Sequence, residues 1–301
     1  MAYVVDTNVH LLDVDPRGRP VPPPTGRVPA WWEGSTAEQV RDHMSQAGID
    51  HTLVVATGTY DDSYILACAR RYPDSFTAIA KLDVSDPGAA AMLGSLAARP
   101  EVGGIRFEWR GDGAEPADWI DAPQTRVLWE QAVKDGVRVS LASVRNVEHL
   151  GSLRRVLERF PTLTVILRRM IQPPVDDGPP YQDAGPLLAL AEFPNVHSTF
   201  SDLNIAETDT GASTHLAFFE TFIGSFGASR LMWASFFPAH RATPEAPIKG
   251  LLDYVRAQLA FLREEDLDWL LGESARRLYP SVRAAAAKVG PAPIQGGQFE
   301  R

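Results

Sequence analysis

The 301-residue sequence predicts an α/β protein folded as a (β/α)8 TIM barrel, with long loops after its strands and an extra C-terminal helix. First, apolar strand segments alternate with amphipathic helical segments, which indicates parallel strands joined by crossover helices. Second, eight segments of each kind occur, the number that closes such a barrel. Third, the first strand is followed by neither a Gly-x-Gly-x-x-Gly nor a Walker pattern, which disfavours a doubly wound nucleotide-binding sheet.

The predicted strands and helices follow one another in pairs along the chain. We expect strands near residues 3–9, 51–57, 75–82, 102–108, 137–142, 162–168, 195–201 and 230–235. We expect the helices that follow them near residues 36–48, 61–72, 86–98, 123–135, 146–159, 184–193, 213–227 and 248–261. A further helix is expected over 264–280. We therefore assign residues 1–280 to a single barrel domain and residues 281–301 to a C-terminal tail that holds one short helix.

The loops that follow the strands are longer than the turns that follow the helices. Several of them are rich in proline and glycine, at 12–34, 109–122, 170–183, 202–212 and 236–247. In a barrel these loops all lie at the C-terminal face of the strands, where active sites are built. Trp32, in the first of these loops, either covers a pocket there or packs its loop onto the barrel.

Composition and charge restrict the classes of partner. A formal net charge of -9, with no basic stripe, argues against nucleic acid. No apolar run reaches the roughly 18 residues of a membrane span, and Asp6 interrupts the N-terminal apolar run that a signal peptide needs. The single cysteine, Cys68, excludes an internal disulfide framework. We expect a cytoplasmic protein that binds neither nucleic acid nor membrane. The sequence does not decide between a monomer and a homo-oligomer.

The first strand carries three polar side chains on one face. Asp6, Asn8 and His10 are spaced two residues apart, so they point to the same side of the strand. His10 is the best candidate for general acid–base chemistry, because an unperturbed histidine titrates near neutral pH. The alternative is a core histidine that is hydrogen-bonded to Asn8.

Several segments together resemble the amidohydrolase superfamily, in particular its amidohydrolase-related (family 2) branch. The resemblance covers roughly residues 1–280 and includes the first strand with Asp6-Thr7-Asn8-Val9-His10. Its most specific stretches are Arg230 to Ser235 and Gly272 to Tyr279. The resemblance implies a TIM barrel and a kinship with lactonases, decarboxylases and other hydrolases of small carboxylated molecules. It also implies that Arg106 is similar to a substrate-carboxylate binder.

The chain departs from this family at the positions that carry the chemistry. Where the family has His-x-His in the first strand, Asn8 takes the first place and only His10 remains. The Asp-His pair that ends the sixth strand is replaced by Arg168 and Arg169. The aspartate that ends the eighth strand is replaced by Phe236. Because a catalytic zinc needs about three protein ligands and a guanidinium is not one, we expect no metal here.

The remaining polar groups predict an anion site. A guanidinium from Arg168 or Arg169 is expected near Arg106, and such a cluster suits a carboxylate held by two hydrogen bonds. The alternative is that these arginines pair with nearby carboxylates. We predict a catalytic role for His10, Asn8 and Arg169. We predict substrate contacts from Arg106, Arg168, Glu108, His197, Ser235, Phe236, His240 and Trp32.

These residues favour a metal-independent, hydrolase-like enzyme without a cofactor that acts on a small anionic, carboxylate-bearing molecule. Hydrolysis of a lactone, thioester or amide and proton-shuttled cyclisation, isomerisation or decarboxylation both stay open. A non-catalytic pseudo-hydrolase that binds a small anionic ligand or a protein partner is the alternative, favoured by the apolar bulk of Phe236 and Phe237. A third hypothesis is a metal site built from His10, His197 and His240.

Overall fold

The computed structural model of the chain contains eight strands and the helices between them. It describes residues 3–14, 21, 35–56, 61–111, 116, 118–141, 147–207, 211–240 and 246–289. The strands are β1 Val5–Val9, β2 His51–Val55, β3 Phe76–Asp83, β4 Val102–Glu108, β5 Arg138–Leu141, β6 Thr164–Leu167, β7 Val196–Phe200 and β8 Leu231–Trp233.

All neighbouring strands pair in parallel, in the order β1 to β8. The apolar segments from which we predicted the strands are buried. Each strand has the barrel interior on one face and the surrounding helices on the other, as is usual for parallel sheets. The seam between β8 and β1 is held by four hydrogen bonds. They join Thr7 Oγ1 to the Trp233 carbonyl (2.6 Å), the Ser235 N–H to Asp6 Oδ1 (2.9 Å), the Phe236 N–H to the Asn8 carbonyl (3.0 Å) and the His10 N–H to the Phe237 carbonyl (2.8 Å). The predicted (β/α)8 barrel is confirmed.

The helices begin and end within a few residues of the predicted positions. They are α1 Ala37–Ala47, α2 Ser63–Arg71, α3 Ala89–Ala97, α4 Pro123–Lys134, α5 Val147–Arg159, α6 Gly185–Leu188, α7 His215–Phe226, α8 Pro247–Gln258, α9 Glu264–Asp268, α10 Ser274–Leu278 and α11 Pro280–Val289. The sixth is the main difference, because a short 3-10 segment, Ala189–Glu192, continues it to the end of the predicted range. Among the described helices, none is long and apolar enough to cross a membrane.

The barrel interior changes character along its axis. Its lower layer is an apolar cluster that includes Leu53, Ile79 and Ile166, and Tyr279 and Val282 from the C-terminal helices pack against it. The upper layer, toward the C-terminal ends of the strands, is polar and charged. Its buried members include Asn8, His10, Lys81 and Arg106. The fold therefore closes the barrel from below and leaves its chemistry at the upper end.

The C-terminal helices are part of the packed barrel. A π-helical turn, Trp269–Glu273, joins α9 to α10 and lies against the entry to β1. A β-carbon at Gly272 would overlap the Tyr3 carbonyl oxygen, so this close approach requires glycine. The short helix expected in the tail is α11, and its Val282 is fully buried. The packed part of the chain thus extends past residue 280, where we had set the domain boundary.

Candidate active site

A chain of hydrogen bonds links Arg106 to His10 at the top of the barrel. The Arg106 guanidinium donates to Asn8 Oδ1 across 2.8 Å. The Asn8 side-chain amide lies 3.2 Å from His10 Nε2, and His10 Nδ1 lies 2.8 Å from the Val55 carbonyl. Because a carbonyl only accepts, the proton of His10 is on Nδ1, and Nε2 accepts from the Asn8 amide. Both ring nitrogens of His10 are therefore engaged by protein groups.

The environment of His10 holds it in the neutral form. Burial and the positive charges of Arg106, Arg168 and Lys81 lower its pKa to about 3. The pKa of His10 thus departs from the near-neutral value of an unperturbed histidine. These cations come from β3, from β4 and from the turn after β6, so the effect is a property of the assembled barrel. Whether His10 acts directly on a substrate stays a prediction, as it does for Asn8.

Lys81 is a member of this site that the sequence analysis missed. It lies on β3 directly opposite Arg106 on β4, and only 9% of it is exposed. Burial lowers the pKa of its ammonium group, and Asp62 and Glu108 partly offset that effect. A signal for it was present in the sequence, because a lysine in the apolar run Ala78-Ile79-Ala80-Lys81-Leu82 needs a partner or a function.

Arg168 and Arg169 lie close to the same aromatic ring. Their guanidinium carbons lie 4.7 Å and 4.8 Å from the centre of the Phe236 ring. Such contacts attract a cation to the negative face of the ring. Phe236 is 2% exposed and has a φ of 55°, a conformation that asparagine, aspartate and glycine adopt more readily than phenylalanine. The Phe236 side chain thus supports the two arginines.

A left-handed turn follows β6 and carries Arg169. The residues from Arg169 to Gln172 all have φ between 53° and 61°. Each such residue costs about 1–2 kcal/mol relative to right-handed backbone. Neighbouring side chains brace the turn, because the Arg169 N–H donates to Thr199 Oγ1 (2.9 Å) and its carbonyl accepts from the Asn204 amide (3.2 Å). Backbone strain of this kind is concentrated at functional sites.

His240 and Asp202 form a carboxylate–imidazole pair beside Arg169. His240 Nδ1 lies 2.9 Å from Asp202 Oδ1, and its Nε2 lies 3.4 Å from a guanidinium nitrogen of Arg169. The carboxylate accepts the Nδ1 proton, so Nε2 carries the lone pair and accepts a long hydrogen bond from the Arg169 guanidinium. The side chains of His240 and Asp202 are 17% and 20% exposed, whereas His10 is 5% exposed. Of the two histidines, His240 is the one that solvent can reach.

Two predicted substrate contacts have other partners in the structure. Glu108 accepts two hydrogen bonds from the Arg110 guanidinium and lies 3.9 Å from Arg106. Ser235 is 1% exposed, and its Oγ accepts from the Phe237 N–H. Both side chains maintain the architecture of the site, and their contact with a substrate stays a prediction. Trp32 lies outside the described residues.

The prediction for His197 needs correction. His197 faces the barrel interior, but it is the second residue of β7 and lies at the amino-terminal end of the barrel. It lines a cavity there with Arg230 and Arg277. His197 pairs in register with Ile166, which belongs to the apolar cluster of the lower layer, so the two residues lie at the same end of the barrel. His197 is not part of the upper site.

The described residues of the upper site do not present a set of ligands for a divalent cation. The charged groups nearest to His10 are cations. A metal site would instead need carboxylate or further imidazole ligands beside it. Within the part of the chain that the structure describes, no group of three histidine, cysteine, aspartate or glutamate side chains is arranged to hold a metal. We therefore derive no chemical step through a metal at this site.

Comparisons with known proteins agree with this architecture. The chain is 28% identical over 284 residues to an L-fucono-1,5-lactonase of Burkholderia ambifaria, covering 92% of each chain. It superposes with a TM-score of 0.68 and 19% identity on a protein proposed to be a 2-pyrone-4,6-dicarboxylic acid hydrolase of Pseudomonas putida, covering 93% of this chain and 98% of that one. A 2,6-dihydroxybenzoate decarboxylase from Rhizobium gives the same TM-score and identity, with coverages of 93% and 99%.

A family model matches nearly the whole barrel. The model of the amidohydrolase family aligns with residues 5–281, which include every strand and the last helices that pack on β1. The resemblance seen in the sequence is thereby confirmed, and so is the expectation of an enzyme scaffold. The chain belongs to the amidohydrolase family of enzymes.

Proposed function

We propose that the chain hydrolyses a small lactone that carries a carboxylate group, and that it does so without a metal. The observation that carries the proposal is the Asp202–His240 pair, with Nε2 of the imidazole beside the Arg169 guanidinium. The arrangement combines a base, a group that orients it and a cation for developing negative charge. These are the elements that acyl transfer needs. The lactonase and the pyrone hydrolase among the compared proteins support the choice of a lactone.

In this proposal His240 activates water. Its Nε2 takes a proton as the water oxygen attacks the lactone carbonyl carbon. Asp202 keeps the imidazole in the required tautomer and stabilises the imidazolium that forms. When the ring C–O bond breaks, the imidazolium returns the proton to the leaving alkoxide. Lactone and water thus give one hydroxy acid, and no oxidant or metal enters the balance.

Arg168 and Arg169 are assigned to the oxyanion of the tetrahedral intermediate. Their guanidinium groups are fixed by the Phe236 ring and by the braced left-handed turn. Donors that are already oriented stabilise developing charge without reorganisation. The strain of the turn is consistent with such preorganisation.

Arg106 is assigned to the carboxylate of the substrate, with Lys81 beside it. Arg106 donates to Asn8, an uncharged acceptor, and lies 3.9 Å from Glu108. The buried cation therefore keeps capacity to hold an incoming carboxylate. In this reading Asn8 and His10 are positioning residues, because they orient the Arg106 guanidinium. The same groups support proton-shuttled isomerisation or decarboxylation, which product analysis separates from hydrolysis.

The test is hydrolysis by purified protein after treatment with a chelator. We expect turnover of a carboxylated lactone such as 2-pyrone-4,6-dicarboxylate, and slower turnover of the uncharged L-fucono-1,5-lactone. Addition of zinc or manganese is expected to leave both rates unchanged. Hydrolysis that appears only after metal is added contradicts metal independence. The reverse substrate preference contradicts the assignment of Arg106.

A binding protein without catalysis is the second candidate. The observation that favours it is Phe236, which occupies the end of the eighth strand with a fully packed ring. The two candidates differ in whether a bound lactone is hydrolysed. A pseudo-hydrolase binds a dicarboxylate at the upper site and leaves every lactone of the panel intact.

A further inference from the structure

A second cavity lies at the opposite, amino-terminal end of the barrel. It has a volume of about 500 Å³, within the range of small-molecule sites. Its walls come from the first residues of β6 and β7, from the segment before β8 and from α10. The C-terminal helices therefore build one side of it. The proposed lactone chemistry makes no use of this cavity.

The side chains that line this lower cavity are basic or uncharged. Arg230, Arg277 and His197 face it, together with the hydroxyl-bearing Thr164 and Ser229, and none of its described lining residues is acidic. That composition contrasts with the chain as a whole, whose net charge is -9. Concentration of positive charge in a concave wall of an acidic protein attracts anions to that wall.

Arg230 is held in place by the main chain. Its guanidinium donates to the carbonyl oxygens of Phe226 (2.7 Å) and Phe193 (2.8 Å). These partners fix its orientation without neutralising its charge. Among the described residues, no carboxylate forms an ion pair with Arg230 or Arg277. Burial lowers the pKa of the His197 imidazole, and the nearby guanidinium groups of Arg230 and Arg277 add to that effect.

The cavity is separate from the upper site. His197 is the second residue of β7, and Asp202 lies five residues later, beyond the other end of that strand. At a rise of about 3.3 Å per residue, this separation is about 16 Å. The apolar cluster with Ile166 and Met232 lies between the two ends of the barrel. A ligand in the lower cavity therefore cannot contact Arg106 or His240.

We propose that the lower cavity is a binding site for a small molecule with a phosphate or carboxylate group, held by Arg230 and Arg277 with His197 beside them. Guanidinium groups bind such oxyanions through paired, charge-assisted hydrogen bonds. The hydroxyl groups of the wall add neutral donors. The inference is independent of the lactone chemistry, since it uses no residue of the upper site.

The experiment is an NMR titration of the full chain that follows the imidazole signals. The sequence has seven histidines, and the spectrum of His197→Asn identifies the signal of His197. Inorganic phosphate and succinate are added in separate arms. We expect a saturable shift of the His197 signal in one or both arms, and the arm that responds identifies the anion class. Because the signal reports its own surroundings, anion binding at the upper site does not imitate the result.

Two variants distinguish a built site from a general surface charge. Arg277→Gln removes a lining guanidinium and is expected to weaken binding about 10-fold or more. Arg283→Gln removes an exposed arginine from the same end of the barrel that does not line the cavity, and it is expected to leave the affinity unchanged. The proposal is wrong if His197 does not respond to either anion below about 10 mM. It is also wrong if the two variants weaken binding equally.

Discussion

At the scale of single residues, the charged partner and the exposure of each histidine distinguish the two candidate bases. His10 donates to Val55 and accepts from Asn8, and nearby cations lower its pKa to about 3. His240 donates to the carboxylate of Asp202, accepts from the Arg169 guanidinium at the longer distance of 3.4 Å, and is more exposed than His10. The general base is therefore assigned to the loop after β8 rather than to β1. No local pattern predicts this pair, because its members are 38 residues apart on different loops.

Arg106 is the residue at which substrate binding can be separated from chemistry. Arg106→Gln is expected to raise KM for a carboxylated lactone about 10- to 100-fold, since a hydrogen bond to a charged group is lost. Its kcat is expected to change much less, because the carboxylate is bound in both ground and transition states. Steady-state kinetics measure both constants. Arg110→Gln, which removes a rim cation paired with Glu108, is the matched control and is expected to alter KM about 2-fold or less.

Asp6 makes the stability of the barrel depend on pH. Burial raises the pKa of its carboxyl from 3.8 to about 6. Between these pH values the folded chain keeps a proton that the unfolded chain has released, so the contribution of Asp6 to stability falls as pH rises through this window. A shift of this size corresponds to about 3 kcal/mol.

Asp6→Asn is expected to remove that dependence. An asparagine oxygen can still accept from the Ser235 and Asn8 N–H groups, and it has no charge to bury. When urea unfolding is measured at pH 4 and at pH 7, the stability of the variant relative to the wild type is expected to be about 2–2.5 kcal/mol higher at pH 7 than at pH 4. Asp6→Ala loses the acceptor and is expected to be destabilised at both pH values. A constant difference between the Asp6→Asn variant and the wild type would show that folding does not raise the pKa of the Asp6 carboxyl.

At the scale of structural elements, the left-handed turn after β6 stores strain that glycine can release. Gln172 is exposed and has a φ of 53°. Gln172→Gly is expected to be neutral or to stabilise by up to about 1 kcal/mol, because glycine adopts this conformation without a steric cost. Glu130→Gly, at an exposed position inside α4, is the control and is expected to destabilise by about 1 kcal/mol. Denaturant unfolding of both variants measures the sign, and equal destabilisation contradicts the strain.

The π-helical turn before α10 depends on one glycine. Gly272→Ala would bring a β-carbon into the Tyr3 carbonyl, so it is expected to destabilise the barrel by about 3 kcal/mol or more. Gly224→Ala provides the contrast, because a β-carbon there meets no atom within 4 Å inside α7. That variant is expected to stabilise by about 0.5–1 kcal/mol. Thermal unfolding compares them, and a fully stable Gly272→Ala variant contradicts the close contact.

At the scale of the whole molecule, the sequence predicts the barrel much better than it predicts the site. β4 was expected at 102–108 and is Val102–Glu108, because a buried apolar run between turn residues is a local signal. The arginines were also predictable, since charged residues at the ends of apolar strands meet at one face. The pKa of His10 was not, because it depends on charges from β3, β4 and the end of β6.

The position of a residue along the barrel axis is a second property that was hard to predict. The alternation of side chains along a strand shows only which face a residue is on. His197 faces inward like Thr199, yet it lies at the lower end of β7. The position of His197 near the start of the predicted strand 195–201 was the available signal. Lys81 is the opposite case. It lies near the upper end of β3, and its neighbours on the strand are apolar. Face and height together define the site of a barrel.

The most direct test of the account is the kcat of two histidine variants on the same carboxylated lactone, in the presence of a chelator. His240→Gln is expected to lose about 100- to 10,000-fold in kcat, the usual contribution of a general base. His10→Gln is expected to lose about 10-fold or less, because His10 only orients Asn8 and Arg106. Full activity of the His240 variant together with an inactive His10 variant would contradict the assignment of the Asp202–His240 pair as the base.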